Sequence, residues 1–597
     1  MALKTVTKPT LKAPQDVGTL PAPARLVRED GEVYVEIAEK KIPIGGPLPK
    51  LRQGEKHIRV TSSLCPYCMR LLPARVFDRG GKVYLRKICP DHGEIEELYF
   101  GDTEMYHRMM QFEETGKGPG KVKAYLTLAA PCPYNCGLCS MHENHTALAN
   151  LVITNRCNIA CFYCFFYAEK AGYVYEPDME LLRFQVRQLK KQGFTMVVQI
   201  TGGEPTVRED LVDIVRMLKE EGVRHVQLNT NAIRFAELYF EDPEYAVEYT
   251  RQLRQAGVNT VYMSFDGVTP KVNWKNHYEV PFAFEVFRKA GMTSVVLVPT
   301  VIKTINDHEL GDIIRFAAKH IDIVRAVNYQ PVSLSGQMKK HERERMRITI
   351  ADAIHRIAEQ TDHQIPPEAW FPIPAAAKFA KFIESVVTTP QFCMSNHPMC
   401  GAGTYIFIER DANGLPKKIV PLTDFFDVVG FMEWLDQKRI DILNGSNKKL
   451  ALLRGLIDLR KFVDKSKLPK GLSFEKLLIN VFLRRNYDAL GKLHYHMLFL
   501  GMMHFMDLYN YDVTRVRRCN IHYLSPDGRV IPFCTFNVME KLYRDYVQEQ
   551  YKQPLELYVK DLETKAFNPG QKYNRAKYIK MIKSHPIYKE AYKGIIF

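Results

Sequence analysis

No stretch of the 597-residue chain approaches the ~18 consecutive apolar residues that a membrane-spanning helix requires. The opening residues, MALKTVTKPTLKAPQ, hold neither an apolar core nor a small-residue cleavage site, so a secretory leader is not expected. No low-complexity segment stands out, and no period is regular enough for a solenoid. No basic-aromatic recognition motif is present, so nucleic acid is not an expected partner. These absences together point to a cytoplasmic protein.

The composition is that of an ordinary globular chain, 46% hydrophobic and 25% charged. Its length implies several domains. Lys and Arg exceed Asp and Glu by 16. A positive surface favours anionic partners, whether nucleic acid, lipid headgroups or small molecules, without choosing among them. The cysteines are more selective. There are 13, an odd count, and nine fall in three short groups. Short-spaced thiols suit metal ligation in a reducing compartment better than a disulfide framework.

Read along its length, the chain divides into a small metal-binding module over residues 1–120, a second cysteine-bearing segment over 121–148, an α/β array over 149–335, and a mostly helical remainder over 336–597. In the first module, LCPYCMRLLPARVFDRGGKVYLRKICPDHGEIEELYF reads as a Cys-x-x-Cys turn, a hairpin through Gly80-Gly81 and a second knuckle at Cys89. In the α/β array, six apolar strand-like runs alternate with amphipathic helical stretches. They are LANLVIT, MVVQIT, HVQLNT, TVYMSF, VVLVPTVI and VRAVNYQPV. The alternation implies parallel βαβ units, and strands buried on both faces are nearly all apolar. The remainder includes RERMRITIADAIHRIAEQ and the apolar run YHMLFLGMMHFMDLYNY, both helical in pattern. A hairpin at CNIHYLSPDGRVIPFC turns on Pro-Asp-Gly.

Chemistry concentrates at TNRCNIACFYCFFYAEKAG. Cys157, Cys161 and Cys164 have C-x3-C-x2-C spacing directly after the first strand. Three thiolates can hold three irons of a [4Fe–4S] cubane and leave the fourth iron open. The competing reading is a zinc knuckle, which would want a fourth ligand nearby; none follows. Barrel folds place active sites at the C-terminal ends of their strands, where this motif falls. One strand later stands ITGGEP, in which Gly202 and Gly203 permit close backbone approach. Cys65, Cys68 and Cys89, with His92 as a candidate fourth ligand, suit a mononuclear iron or zinc site. Cys132, Cys136 and Cys139 repeat the C-x3-C-x2-C spacing, with His142 or His145 as a possible fourth ligand.

These motifs resemble the radical S-adenosylmethionine (SAM) superfamily. The resemblance implies a partial (β/α)6 barrel of TIM type, with SAM chelating the open iron and 5′-deoxyadenosyl radical chemistry. Tyr163 is the aromatic usual before the third cysteine. The resemblance gives Glu204 the orientation of the SAM amino group and places Asn229, Ser264 and Asp266 near its ribose and methionine parts. Val298 takes an adenine-packing position. Cys393, Cys400, Cys519 and Cys534 resemble the auxiliary-cluster extension of such enzymes, a fourth thiolate group.

Longer runs, including CPYNCGLCSMHENHT and HMLFLGMMHFMDLYNYD, look like the archaeal tetraether lipid (macroarchaeol) synthases. That likeness implies coupling of the terminal carbons of phytanyl chains, with an archaeal ether phospholipid as substrate. It also implies peripheral contact with an anionic membrane and an electron donor such as ferredoxin or flavodoxin. The Met and Phe residues of 496–506 would then line an apolar channel. Ala147 stands where that pattern carries a Cys, which leaves room for a chain-bridging sister activity. The alternatives are a radical methylase of a pterin or other small molecule, and an RNA-modifying protein.

Overall fold

A computed structural model of the chain describes residues 19–164, 166, 168–334, 338–387, 391–448, 458–469, 496–554 and 573–597. The first 18 residues, Phe165 and Tyr167 of the central cysteine motif, and part of the Lys- and Tyr-rich tail lie outside the described residues.

The chain opens with a three-stranded antiparallel meander, β1 (Ala24–Glu29), β2 (Glu32–Ile37) and β3 (Lys40–Pro43). A four-stranded antiparallel meander follows, of β4 (Lys56–Leu64), β5 (Leu71–Arg79), β6 (Lys82–Cys89) and β7 (Gly93–Phe100). Arg79 pairs with Lys82, so Gly80-Gly81 forms the expected two-residue turn. Both glycines have positive φ, +61° and +76°, as a tight hairpin of this hand requires.

The six expected strands form six adjacent parallel strands in chain order: β8 (Leu148–Thr154), β9 (Val197–Gly202), β10 (His225–Thr230), β11 (Val258–Ser264), β12 (Val295–Val298) and β13 (Val324–Pro331). Helices at Met179–Lys190, Leu211–Glu220, Pro243–Ala256, Val280–Ala290 and Leu310–Lys319 occupy the crossovers. Asp178 starts the first of them by accepting from the Leu181 amide at 2.9 Å. The outward strand residues Leu151, Ile153, Val198, Ile200, Val226, Leu228, Val261 and Met263 are buried. Each such side chain contributes about 1.5–3 kcal/mol by leaving water. The reading of these strands as nearly all apolar holds for this outer face. The inner face differs, as described below.

The remainder carries helices at Lys340–Met346, Ile350–Gln360, Ala375–Val387 and Val428–Leu443. The first two come from one apparently continuous pattern. Thr349 interrupts it by capping the second, accepting from the Asp352 amide while Asp352 accepts from the Thr349 amide. The apolar run departs from expectation, because residues Met497–Met503 are a strand, not a helix. Periodicity cannot separate a short apolar strand from a buried helix. The polar residues flanking the run and Gly501 within it fit the extended form.

The C-terminal strands extend the central sheet from both ends. On one side β15 (Met497–Met503) lies parallel to β13, and β14 (Gly401–Arg410) pairs antiparallel with β15. On the other, β16 (Ile521–Leu524) lies parallel to β8, and β17 (Val530–Pro532) returns antiparallel through the Pro-Asp-Gly turn. Helices at Ile579–Ser584 and Pro586–Tyr592 end the chain. Tyr592 stacks on His277 at 4.4 Å, and Arg575 binds Glu279 at 2.7 Å and the Trp274 carbonyl at 2.8 Å. The loop after β11 is thereby held from behind.

Buried charges dock the β4–β7 meander onto the body. Asp512 accepts from Arg59 at 2.5 Å, Thr61 at 2.6 Å and Tyr99 at 2.7 Å. Glu97 pairs with Arg343 and Arg347 at 2.7 and 2.9 Å, and Arg347 with Asp507 at 2.9 Å. Lys87, fully buried, donates to Ser63 and to the Leu508 and Tyr509 carbonyls. Among the described residues no helix is long and apolar enough to cross a membrane.

Candidate active site and metal centres

The β4–β7 meander builds the tightest ligand set. Cys65 and Cys68 lie on the turn after β4, Cys89 ends β6, and His92 sits in the turn that follows. The four ligand atoms all lie within 4.8 Å of one another. Cys65 Sγ is 3.6 Å and Cys89 Sγ 3.5 Å from His92 Nδ1, and Cys68 Sγ is 3.7 Å from Cys89 Sγ. Tetrahedral ligation with Zn–S of about 2.3 Å sets sulfurs about 3.8 Å apart, so this group fits one metal ion. Burial pushes the Cys68 thiol up to about 12, so a bound cation is what would hold it as thiolate.

Cys157, Cys161 and Cys164 occupy the loop after β8 and line a cavity of about 670 Å³ inside the barrel. Burial pushes the Cys161 thiol up to about 11, against the pull of Lys275. Tyr163, Gly202, Gly203, Glu204, Asn229, Ser264 and Val298 line the same cavity. Asp266 sits behind them and holds Tyr163, accepting its hydroxyl proton at 2.5 Å. Lys275, absent from the expectations, completes this group. Its ammonium lies 2.8 Å from both Asp266 and the Tyr163 oxygen. A lysine in a long loop carries no sequence signal; it matters here because the C-terminal helices fix that loop.

The glycine pair acts through backbone contact. The Gly203 amide donates to the Thr154 carbonyl at 2.8 Å and the Glu204 amide to the Arg156 carbonyl at 2.7 Å. A Cβ on Gly202 would lie 1.9 Å from the Thr154 oxygen, and one on Gly203 2.2 Å from the Arg156 oxygen. The second strand therefore presses directly on the loop that carries Cys157. The Glu204 carboxylate is buried and accepts from Thr206, from Thr230 at 2.7 Å and from the Asn231 amide at 2.7 Å. Burial raises its pKa above the usual carboxylate range, against these bonds.

Cys400 precedes β14, Cys519 precedes β16 and Cys534 follows β17. All three line the same cavity as the Cys157 loop. Arg515 donates to Cys400 Sγ at 3.3 Å, and the Met506 amide to Cys534 Sγ at 3.4 Å. Cys393, expected as their fourth partner, is not among the lining residues, although its neighbours Phe392 and Met394 are. The expected group of four therefore appears as three thiols plus an arginine. Cys132, Cys136 and Cys139 border a separate small hollow with His142. His142 is thus beside these cysteines, and His145 is not; His145 stacks on Phe194 at 3.9 Å. His142 also contacts the Cys519 carbonyl at 2.8 Å and His522 at 3.1 Å, so it lies between two cysteine groups.

The inner barrel wall holds side chains that the sequence reading passed over. Asn150, Gln199, Gln227, Tyr262, Asn328 and Gln330 all line the cavity. Their signal was present as single polar residues at alternate positions within apolar strands. The 496–506 run also lines the cavity, through Phe499, Met502, Met503 and Phe505 among others. The same cavity carries the amide side chains, so the run does not line a wholly apolar channel of the kind expected.

The architecture and the open three-thiol loop define a radical-SAM enzyme. The description "Radical SAM superfamily" matches residues 151–317, and "HMPTM N-terminal zinc ribbon domain" matches residues 57–101. The chain is 40% identical over 508 residues to the 7,8-dihydro-6-hydroxymethylpterin dimethyltransferase of Methanocaldococcus jannaschii, covering 83% of this chain and 96% of that protein. It is 28% identical over 260 residues to GTP 3′,8-cyclase 3 of Mycobacterium bovis, covering 41% of this chain and 64% of the cyclase. Among solved structures it is similar to methylornithine synthase, with 17% identity, coverage of 30% and 52%, and a TM-score of 0.25. The chain belongs to the family of the M. jannaschii dimethyltransferase, within the radical SAM superfamily. Members take a [4Fe–4S] cluster and SAM, and the zinc ribbon adds a further metal site.

This membership corrects the expectations of tetraether lipid synthesis, an ether phospholipid substrate and attendant membrane contact. The relative that matches 83% of this chain is named for a pterin, the alternative raised above. The likeness of cysteine-rich runs reports the shared cluster equipment, which does not fix the substrate.

Proposed function

We propose that the chain is a radical methyltransferase acting on a pterin of the 7,8-dihydro-6-hydroxymethylpterin type. The 40% identity across 96% of the M. jannaschii dimethyltransferase carries this reading. Cys157, Cys161 and Cys164 would hold the SAM-binding cluster; the three thiols on one loop, facing a cavity, fit it. When bound, cluster and SAM supply radical chemistry at carbon that polar catalysis does not reach. The chain's own part is to position and to exclude water. Gly202 and Gly203 bring the second strand against the cluster loop, and Glu204 fixes the turn that follows. Tyr163, Asp266 and Lys275 form a buried charge-bearing group beside Cys161. Cys400, Cys519 and Cys534, and separately Cys132, Cys136 and Cys139, would hold auxiliary clusters. The domain boundaries belong to the same proposal, with strands of the 336–597 segment extending the sheet at both edges.

An anaerobic assay tests the reading: reconstituted protein, SAM, a low-potential reductant and 7,8-dihydro-6-hydroxymethylpterin. Mass spectrometry should find methylated pterin together with 5′-deoxyadenosine. An unmodified pterin, in a preparation whose SAM cleavage is stimulated by a different substrate class, would overturn it.

A further inference from the structure

The inner wall of the barrel is unusual in what it presents. Along β8, β9, β10, β11 and β13 the outward positions are mostly aliphatic, while Asn150, Gln199, Gln227, Tyr262, Asn328 and Gln330 line the cavity. Two hydrogen-bonded arms result. In the first, Gln227 Nε2 donates to Gln199 Oε1 at 2.5 Å, Gln199 Nε2 to Asn150 Oδ1 at 2.9 Å, and Asn150 Nδ2 to the His522 carbonyl at 3.3 Å. Each amide spends an N–H on the next carbonyl, so the arm has one direction and ends on the Gln227 carbonyl oxygen. In the second arm the Tyr262 hydroxyl receives Asn328 Nδ2, and Gln330 Nε2 at 3.2 Å. Among the described residues no donor is bonded to the amide oxygen of Gln227, Asn328 or Gln330, whose nitrogens make the bonds, and all three residues line the cavity. The wall therefore offers uncharged acceptor oxygens.

The ionised side chains of the cavity are already engaged. Glu204 is held by Thr206, Thr230 and Asn231. Lys275 is paired with Asp266, and Arg515 is turned to Cys400 Sγ and the His504 carbonyl. An anionic ligand against this wall would face oxygen with oxygen and find no uncommitted cation among these groups. A flat, neutral ring rich in N–H groups would complete the arms.

We infer that the amide wall is the substrate-reading element, and that it selects a neutral planar heterocycle through its N–H edge. The inference rests on the pterin reading and deepens it: the exocyclic 2-amino group and the adjacent ring N–H of a pterin are the donors that the Gln227 and Asn328 oxygens would take. A site built around hydrogen bonds to N–H groups rejects an analogue that lacks them, because its own buried oxygens are then left unpaired.

The test uses the reconstituted holoenzyme with SAM and the intrinsic fluorescence of 6-hydroxymethylpterin, in titrations that need no turnover. Gln227→Leu and Asn328→Leu should each weaken pterin binding by about tenfold or more, the worth of one good hydrogen bond. SAM affinity should be unchanged. The wild type should also bind 6-hydroxymethyllumazine, with oxygen in place of the 2-amino group, about tenfold more weakly than the pterin. Equal pterin affinity in the wild type and both Leu variants would overturn the inference and leave the pterin reading standing. Failure of the wild type to bind the pterin at all would overturn both. Should a Leu variant lose SAM affinity as well, the pterin–lumazine comparison decides, and equal affinity for the two overturns the inference.

Discussion

At the scale of single residues, the contacts at Gly203 and the position of Cys393 give the sharpest tests. A methyl group on Gly203 would lie 2.2 Å from the Arg156 carbonyl oxygen, and both partners are backbone. Gly203→Ala should therefore cost about 1–3 kcal/mol in overpacking and displace the cluster loop. Its SAM-dependent formation of 5′-deoxyadenosine should fall at least tenfold. The cavity contains Cys400, Cys519 and Cys534 without Cys393. Iron analysis after anaerobic reconstitution should find Cys393→Ala equal to the wild type and Cys400→Ala short by one cluster. The Cys157, Cys161 and Cys164 group was legible in the sequence because local spacing alone puts its three thiols on one loop. Lys275 and the inner amides were not, since their meaning depends on which way a strand faces and what closes a loop. Cys393 was grouped with Cys400, Cys519 and Cys534 from the sequence, and only Cys400, Cys519 and Cys534 line the cavity.

At the scale of elements, the helices Met179–Lys190 and Leu211–Glu220 meet through Glu221, whose carboxylate binds Arg183 at 2.9 Å, Arg187 at 3.0 Å and Lys190 at 2.5 Å. Burial opposes the charge, but the three cations win and bring its pKa down to about 2. A carboxyl depressed in the folded state stabilises above its unfolded pKa and loses that contribution as pH falls through the folded value. The effect is therefore full above about pH 4.3 and fades towards pH 2. Glu221→Gln should lower stability at neutral pH by on the order of 1–2 kcal/mol, because the exposed cations are screened. The difference from wild type should shrink on acidification, as denaturant melts at several pH values would show. The six parallel strands could be read from the sequence because apolar runs alternated with amphipathic stretches. The strand at Met497–Met503 could not, because it pairs with β13 and β14, remote in the chain, and no local pattern records that.

At the scale of the whole molecule, the zinc-ribbon module is held to the body by buried charge. Asp512 satisfies Arg59, Thr61 and Tyr99 together, and Arg59 holds its carboxyl well below the usual range despite the cost of burial. Asp512→Ala should strand the guanidinium and cost about 3–5 kcal/mol, the usual penalty for breaking a buried pair. Calorimetry should show a lowered first transition, and a chelator should strip the Cys65 site faster than in the wild type. An unchanged melt would mean that apolar contacts suffice to dock the module.

The extension of the sheet at both ends also bears on the order of events. The ligands of the Cys65, Cys132 and Cys157 groups each come from one short stretch, so each can gather metal soon after it leaves the ribosome. Cys400 belongs to one end of the sheet, and Cys519 and Cys534 to the other. That set cannot exist until nearly all of the chain has been made and the long loops between its members have closed. Metal loading would therefore run from the N-terminus to the C-terminus, with the proposed Cys400, Cys519 and Cys534 set filled last. A cell short of iron would then accumulate chains with their early sites filled and the C-terminal set empty.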